Sequence, residues 1–437
     1  MKKFTLYFLF GLLLFTVAMP SCKKEEITEI EYIVPIWKGS LESAPSNPVV
    51  GWAYYDTQKK QSFIYDGSSW QVMAQDGKDG TNGTISGDDD PTGVTKLDWN
   101  IEWDYISDEF YPSFTYMQLL CSMLKDAPEC ISITVPKDAV GAKLTLTIED
   151  NLFMDKTVLE ETVTADKVKD GDWDYFPTIN WKQDALLNAD QSGFFNLNVV
   201  LEANNKVVKR ITQRITYHSI NDCVFGIVDD EDFIDLYTLF TAYVNEDNPK
   251  IDGILKECLE GGDKREFFGY QGTKQDIIEQ MYWIWEYFAR RNTRYSDITN
   301  SSTNDPDVYS QYVRFFDQCL NNKQANCVDG SCLLASIYRK IGLDVALVII
   351  PGHCFLAVRP TSSDVEGEED ENIIFLETTL MGSAPDESQI RDYFEYAIKS
   401  GLQTVEELVD EGKEDEVKLV YIGDAREIGI KPIPRTR

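Results

Sequence analysis

The stretch from residue 327 to residue 378 constrains the fold most, because it is patterned as one helix followed by three short strands. Small and apolar residues recur after Cys327 at helical spacing and would share one face. That face consists of Cys327, Ser331, Leu334, Tyr338 and Ile341. Lys340 and Gly342 are typical of a helix end. The pattern predicts a helix that begins at Cys327 and directs this side chain toward the core.

The three strand-length apolar runs lie at residues 344–350, 353–358 and 373–378. Pro351-Gly352 marks a turn between the first two. If the last two runs pair antiparallel, opposed residues keep a constant sum of residue numbers. We predict the register that places Phe355 opposite Phe375, which also places His353 opposite Glu377. The imidazole would then lie beside a carboxylate.

A thiol, an imidazole and a carboxylate in this order are typical of an activated nucleophile. The imidazole takes the thiol proton, and the acid holds the imidazole in one tautomer. Cys327 would lie at the positive end of a helix dipole, which favours a thiolate, and Asp329 suits the same dipole. Gln324, three residues upstream, is a candidate oxyanion-hole donor beside the Cys327 backbone N–H.

These residues resemble the transglutaminase-like superfamily, a papain-related group of cysteine acyl transferases and peptidases. The resemblance covers roughly the last 200 residues, about one domain. It includes the upstream segment Phe288-Ala289-Arg290-Arg291-Asn292 with Tyr295. It implies an α+β domain in which Cys327 is the nucleophile, His353 the base and Glu377 the third member. Glu377 departs from the family, which usually has Asp at that position.

Two other interpretations remain open. The chain can be a catalytically inactive family member that binds glycan or protein, in which Cys327 is a small core residue. A zinc site would use Cys327, Cys332, His353 and Cys354. Five residues on a helix place Cys327 and Cys332 roughly 140° apart, and adjacent strand residues point to opposite faces. We therefore predict no metal site and no cofactor.

Residues 1–22 are patterned as a lipoprotein signal peptide. Lys2-Lys3 precedes an apolar segment that is too short to span a membrane with proper flanks. Met19-Pro20-Ser21-Cys22 resembles a lipoprotein processing site, with Cys22 as the lipidated residue. The following Lys23-Lys24-Glu25-Glu26 resembles the surface-export signal of Bacteroidetes-type lipoproteins. We predict an outer-membrane lipoprotein that faces the cell surface.

Residues 23–93 are predicted to be a small aromatic β module followed by an acidic, glycine-rich linker. Short aromatic strands such as Tyr54-Tyr55-Asp56 and Ser62-Phe63-Ile64-Tyr65 alternate with turn residues. The aromatic rings form either the core of a tiny domain, which we favour, or a platform for glycan. Gly77, Gly80 and Gly83 begin a flexible spacer.

Residues 94–222 are predicted to be an all-β, immunoglobulin-like sandwich, because short alternating strands are separated by turn signals. No catalytic pattern stands out there, and we interpret His218 as structural. Residues 223–437 are predicted to form the transglutaminase-like domain, in which the pattern becomes helical. Its three predicted helical stripes are Phe233, Leu236, Phe240 and Tyr243; Ile277, Met281, Ile284 and Phe288; and Tyr309, Val313, Phe316 and Leu320.

The charge of the chain limits its partners. Its 74 acidic and 41 basic residues give a net charge of −33, which argues against nucleic acid because nucleic-acid binding selects basic surfaces. The acidic run at residues 364–371 is interpreted as a solvated loop between two strands. The family resemblance implies a protein or peptide substrate, and glycan is the alternative partner.

Overall fold

A computed structural model describes residues 36–434, apart from residues 51, 60, 66–67, 76–92, 122–123, 125–129, 230–231, 263–264, 297–305 and 361–371. The chain forms two compact units, Met1–Asp88 and Asp89–Arg437. The predicted signal peptide with Cys22, the glycine-rich spacer and the acidic run at residues 364–371 lie outside the described residues.

The first unit contains a four-stranded sheet in the order β1-β2-β3-β4. Its strands are β1 (Ile36–Leu41), β2 (Trp52–Asp56), β3 (Gln61–Tyr65) and β4 (Trp70–Gln75). The first pair is parallel and the other two are antiparallel. Tyr54 is buried and packs on Phe63 and Trp70, with ring centroids 5.6 Å and 4.8 Å away. Aromatic rings therefore form the core of this sheet, as the favoured interpretation predicts.

The second unit begins with two antiparallel sheets, ordered β11-β10-β7-β8 and β5-β6-β9. The strands are β5 (Asn100–Trp103), β6 (Ile131–Val135), β7 (Lys143–Ile148), β8 (Thr157–Thr162), β9 (Trp173–Tyr175), β10 (Gly193–Ala203) and β11 (Lys206–Tyr217). Alternate residues of β6, β7 and β10 are buried in one shared apolar core. Trp103 of β5 contacts Phe195 of β10 across this core, with ring centroids 6.4 Å apart.

The prediction that residues 94–222 are all-β is wrong. They contain the helices α1 (Pro112–Leu120) and α2 (Gln183–Leu187), which contact each other. Pro112 occupies the first turn of α1, a position that tolerates its missing N–H. The apolar run that follows is buried on most sides, so it has no clear helical stripe from which the helix is predicted.

No break in the core occurs at the predicted boundary between residues 222 and 223. One buried apolar cluster extends from Val94 to Ile433. The strand β12 (Asp222–Asp229) crosses the boundary, and the carbonyl of Asp222 accepts a hydrogen bond from Ser113 of α1. Residues 94–222 therefore share a core with the residues that follow.

The rest of the second unit combines helices with three small sheets, ordered β13-β12-β15, β14-β16 and β19-β18-β17-β20. The remaining strands are β13 (Asp232–Asp235), β14 (Arg294–Tyr295), β15 (Val308–Tyr312), β16 (Gln324–Ala325), β17 (Asp344–Ile350), β18 (His353–Arg359), β19 (Ile374–Leu376) and β20 (Lys418–Tyr421). The helices are α3 (Ile251–Glu260), α4 (Lys274–Arg290), α5 (Phe316–Asn322), α6 (Cys327–Lys340), α7 (Ile390–Asp410) and α8 (Ile422–Glu427). The chain is thus of mixed α and β structure.

Two of the three predicted helical stripes are wrong in part. Residues 233 and 309 lie in strands, because β12, β13 and β15 form a sheet where helix was expected. A 3-10 helix, Tyr237–Tyr243, contains Phe240 and Tyr243 of the first stripe, and Leu236 is its N-cap. The second stripe is confirmed, since its four residues are buried along α4. The predicted helix at Cys327–Lys340 is also confirmed as α6.

The predicted register of β18 with β19 is wrong by two residues. Ala357 pairs with Phe375, where the prediction has Phe355. Strand β19 ends at Leu376, and Glu377 lies beyond it. A shift of two residues keeps every side chain on its face, and burial therefore does not distinguish the registers. The small Ala357 leaves room for the Phe375 ring to lie diagonally against Phe355, with centroids 6.4 Å apart.

None of the helices in the described residues is long and apolar enough to cross a membrane. Helix α6 packs on one face of the sheet β19-β18-β17-β20, where it contacts β17 and β18. Helix α7 packs against the edge strand β19. This sheet and α6 position the candidate site.

Candidate functional site

The N-terminus of α6 is fixed by a buried capping box. Asn326 accepts a hydrogen bond from the Asp329 N–H at 2.8 Å, and Asp329 accepts one from the Asn326 N–H at 3.1 Å. Asp329 is fully buried and also accepts from the Arg314 backbone and guanidinium at 2.7 and 2.5 Å. The paired caps satisfy backbone donors that a helix end otherwise leaves open. Cys327 is thereby held at the first position of the helix.

The Cys327 backbone is tied to the segment that follows β19. Its carbonyl accepts from Ser331 at 2.7 Å and from Thr378 at 3.5 Å, and these two hydroxyls lie 3.0 Å apart. Thr378 directly follows Glu377. These hydrogen bonds hold the thiol-bearing turn and the predicted acid at a fixed separation.

The eight cysteines among the described residues are free thiols, and Cys327 differs from the other seven because it is only partly buried. Burial raises the pKa of the Cys332 and Cys354 thiols, which disfavours their reactive thiolate forms. Cys327 is thus the most accessible thiol in the described part of the chain.

A tight turn places His353 at the first residue of β18. Ile350 pairs with His353 across Pro351-Gly352, and Gly352 has a φ of +73° that glycine adopts readily. The Nε2 atom of His353 lies 2.6 Å from a carboxylate oxygen of Glu377. Nδ1 is therefore the ring nitrogen available for the hydrogen bond with the Cys327 side chain.

Glu377 is buried and firmly held. One carboxylate oxygen contacts His353, and the other accepts from the backbone N–H and hydroxyl of Thr379 at 2.9 and 2.6 Å. Burial alone raises the pKa of this carboxyl, but the hydrogen bonds from His353 and Thr379 outweigh burial and leave the pKa lowered. Glu377 is thus an anion that faces the imidazole.

The electrostatics of the site favour a charged imidazole. Hydrogen bonds to Cys327 and then to Glu377 raise the pKa of His353 to about 10, although burial opposes this shift. His353 therefore carries its proton at neutral pH and lies beside the Cys327 sulfur. The predicted residues Cys327, His353 and Glu377 lie together in space.

A cavity of about 150 Å³ opens onto Cys327 and His353. Gln311 of β15 lines it, whereas the predicted oxyanion donor Gln324 does not. Gln324 is exposed in β16, where it pairs with Arg294. The oxyanion role predicted for Gln324 has no support from this geometry, and Gln311 is the amide side chain at the cavity. Nothing in its local sequence indicates this position, because it depends on the path of β15 past α6.

The upstream segment in the family resemblance leads directly to this site. After α4 ends at Arg290, Tyr295 of β14 pairs in parallel with Ala325 of β16, two residues before Cys327. His218, by contrast, lies elsewhere and is buried. It contacts Glu109 at 2.6 Å and stacks on Tyr111 with centroids 4.2 Å apart. These contacts fit a structural role.

The described residues contain no group of three or more His, Cys, Asp or Glu side chains placed to hold a metal ion. Cys332 is buried, and its thiol faces the carbonyl of Phe240 at 3.7 Å.

No known protein family and no curated protein matches the sequence. Among solved structures, the crystal structure of red sea bream transglutaminase matches with 11% identity and a TM-score of 0.17. The match covers 58% of this chain, which spans about half (48%) of that protein. A score of this size does not establish a shared fold.

Proposed function

We propose that this chain is a lipoprotein whose C-terminal part is a transglutaminase-like thiol acyl transferase, with hydrolysis as its reaction. The single observation that carries the proposal is the arrangement at the N-terminus of α6. There, His353 hydrogen-bonds to Cys327 on one side and contacts Glu377 at 2.6 Å on the other.

The proposed reaction begins at a protein or peptide amide. The Cys327 thiolate attacks the carbonyl carbon, and a C–S bond forms as the carbonyl becomes an oxyanion. The His353 imidazolium gives its proton to the leaving nitrogen, which departs as ammonia or an amine when the C–N bond breaks. A thioester on Cys327 remains.

Water then resolves the thioester. His353, now neutral, accepts a proton as water attacks the carbonyl, and the carboxylic acid leaves while the thiolate is restored. Glu377 holds the imidazole through Nε2 and stabilises its cationic form. We assign Gln311 and the Cys327 backbone N–H to the developing oxyanion, because Gln311 lines the cavity.

The remaining parts of the proposal come from the sequence. Cys22 carries the lipid, which anchors the chain in the outer membrane, and the chain faces the cell surface. The two sheets of residues 94–222 serve as a wall beside the catalytic part. The alternative is an inactive lipoprotein that binds glycan or protein. Tyr54 of the aromatic module is buried and is therefore not available as a platform for glycan, so this ring does not support the alternative.

A test of the proposal is acylation by an activated ester. The full chain, purified in detergent, is mixed with p-nitrophenyl acetate, and the modified residue is mapped by mass spectrometry. We expect a burst of nitrophenol and a hydroxylamine-sensitive acetyl group on Cys327. Cys327→Ala and His353→Ala should lack both. Equal acetylation in His353→Ala, or none on Cys327 in the wild type, contradicts the proposal.

A further inference from the structure

A wall of aromatic rings extends from the candidate site to the protein surface. Phe240 is buried at the cavity, and Phe225 stacks on it with centroids 5.5 Å apart. Phe225 also contacts Tyr237 at 6.0 Å and Tyr309 at 6.2 Å. Phe233 completes the wall, with centroids 6.3 Å from Tyr237 and 5.5 Å from Tyr309. We name these five residues the ring wall.

The outer end of the ring wall is open to solvent. Phe233 and Tyr309 are 47% and 45% exposed. Large exposed apolar patches are uncommon on soluble proteins and mark binding surfaces. Tyr309 contacts Phe225, and Phe233 contacts Tyr237; Phe225 and Tyr237 line the cavity at Cys327. The occupant of this patch is therefore expected to be part of the substrate that Cys327 attacks.

The backbone is shaped to present these rings. β12 carries a bulge at Phe225, since Val224 pairs with Ser310 and Gly226 with Tyr309. A bulge changes the direction in which a side chain points, and bulges are frequent beside active sites. A Cβ atom at Gly226 would lie only 2.3 Å from the Phe233 ring, so a larger residue at 226 would displace the ring from this position.

The chemistry of the cavity also limits its occupant. In the part of the chain that the structure describes, no Asp, Glu, Lys or Arg side chain lines it, while Ile349, Ile350 and Val328 add aliphatic surface. Asp232 and Asp235 lie exposed beside the ring wall. The pKa of Tyr237 is raised by burial and then by the Asp235 carboxylate. An acidic substrate group that packs on the ring wall would thus meet both an apolar surface and the negative charge of Asp232 and Asp235.

We infer that the ring wall is a specificity subsite for a bulky, uncharged apolar or aromatic side chain next to the reacting carbonyl of a polypeptide substrate. This inference rests on the proposed function. The acyl group enters the cavity at Cys327, and the adjacent side chain packs on Phe225, Phe233 and Tyr309. Acidic residues at that position are rejected.

The test compares rates of Cys327 alkylation in the full chain with four probes. Iodoacetamide reports intrinsic thiol reactivity. N-acetyl amino-acid chloromethyl ketones of phenylalanine, alanine and aspartate report the subsite. We expect the phenylalanine probe to react about tenfold or more faster than the alanine probe, because burial of an aromatic side chain is worth at least this factor. The aspartate probe should be slowest.

Variants at the open end of the ring wall sharpen the test. Phe233→Ala and Tyr309→Ala should each lower the phenylalanine-to-alanine rate ratio about threefold or more, with the iodoacetamide rate of the same variant measured beside it. Tyr396→Ala is the matched control, because Tyr396 is a 57% exposed aromatic residue on α7. It should change neither value.

The outcomes separate the two proposals. If iodoacetamide fails to select Cys327 over the other cysteines, the proposed function fails, and the subsite fails with it. If Cys327 is selectively alkylated but the rate ratio is near one, or is unchanged in Phe233→Ala and Tyr309→Ala, the subsite alone is overturned.

Discussion

The buried ion pair between Arg314 and Asp329 leads to a quantitative prediction. Asp329→Ala removes the acceptor of three hydrogen bonds at the start of α6, which are donated by the Arg314 backbone N–H, the Arg314 guanidinium and the Asn326 backbone N–H. Both side chains are nearly inaccessible to solvent, at 6% for Arg314 and 0% for Asp329. The change therefore leaves a buried guanidinium without its counter-charge.

Removal of one partner of a buried ion pair typically costs about 3–5 kcal/mol. We expect Asp329→Ala to lower the free energy of unfolding by about this amount, measured by urea denaturation with tryptophan fluorescence. Asp276→Ala is a matched control, because Asp276 occupies the same capping-box position in α4 but hydrogen-bonds Thr273 at the surface. Its expected cost is about 1 kcal/mol.

A double variant isolates the charge. If an uncompensated guanidinium is the main cost, Arg314→Met combined with Asp329→Ala should be more stable than Asp329→Ala alone. The reasoning is refuted if Asp329→Ala and Asp276→Ala cost the same, or if the double variant is no more stable than Asp329→Ala.

Three further predictions follow from other contacts. Glu377→Gln should lower the pKa of His353, because the contact with Glu377 helps to raise it to about 10; an unchanged histidine titration by NMR contradicts this. The raised pKa of His353 contributes stability that is fully present below pH 6.5, the ordinary pKa of histidine, and is lost as the pH rises through about 10. Between these two pH values, the free energy of unfolding of the wild type, measured by urea denaturation, should therefore fall relative to that of His353→Ala. Gln311→Ala should slow acylation of Cys327 by an activated ester about 100-fold or more, as loss of an oxyanion donor does, whereas Gln324→Ala should match the wild type.

The sequence predicts the parts of the site that depend on local patterns. Helical spacing and Gly342 indicate α6, and apolar runs on either side of Pro351-Gly352 indicate β17 and β18. The proximity of His353 to Glu377 follows from antiparallel pairing of two strands, although the contact forms diagonally because the register differs by two residues.

The rest depends on contacts between distant residues. Arg314 reaches Asp329 only because the segment after β15 passes the start of α6, and the same path brings Gln311 to the cavity. The sequence predicts helices at Phe233 and Tyr309, because large apolar residues three and four apart fit a helical period as well as they fit a bulged sheet. No local pattern distinguishes these alternatives.

The most direct test of the central claim is the pH profile of Cys327 alkylation by iodoacetamide in the wild type and His353→Ala, with every cysteine mapped by mass spectrometry. The account predicts that Cys327 reacts fastest of all cysteines across the pH range and that His353→Ala loses this advantage. A Cys327 that reacts no faster than the buried cysteines, or whose profile is the same without His353, contradicts the account.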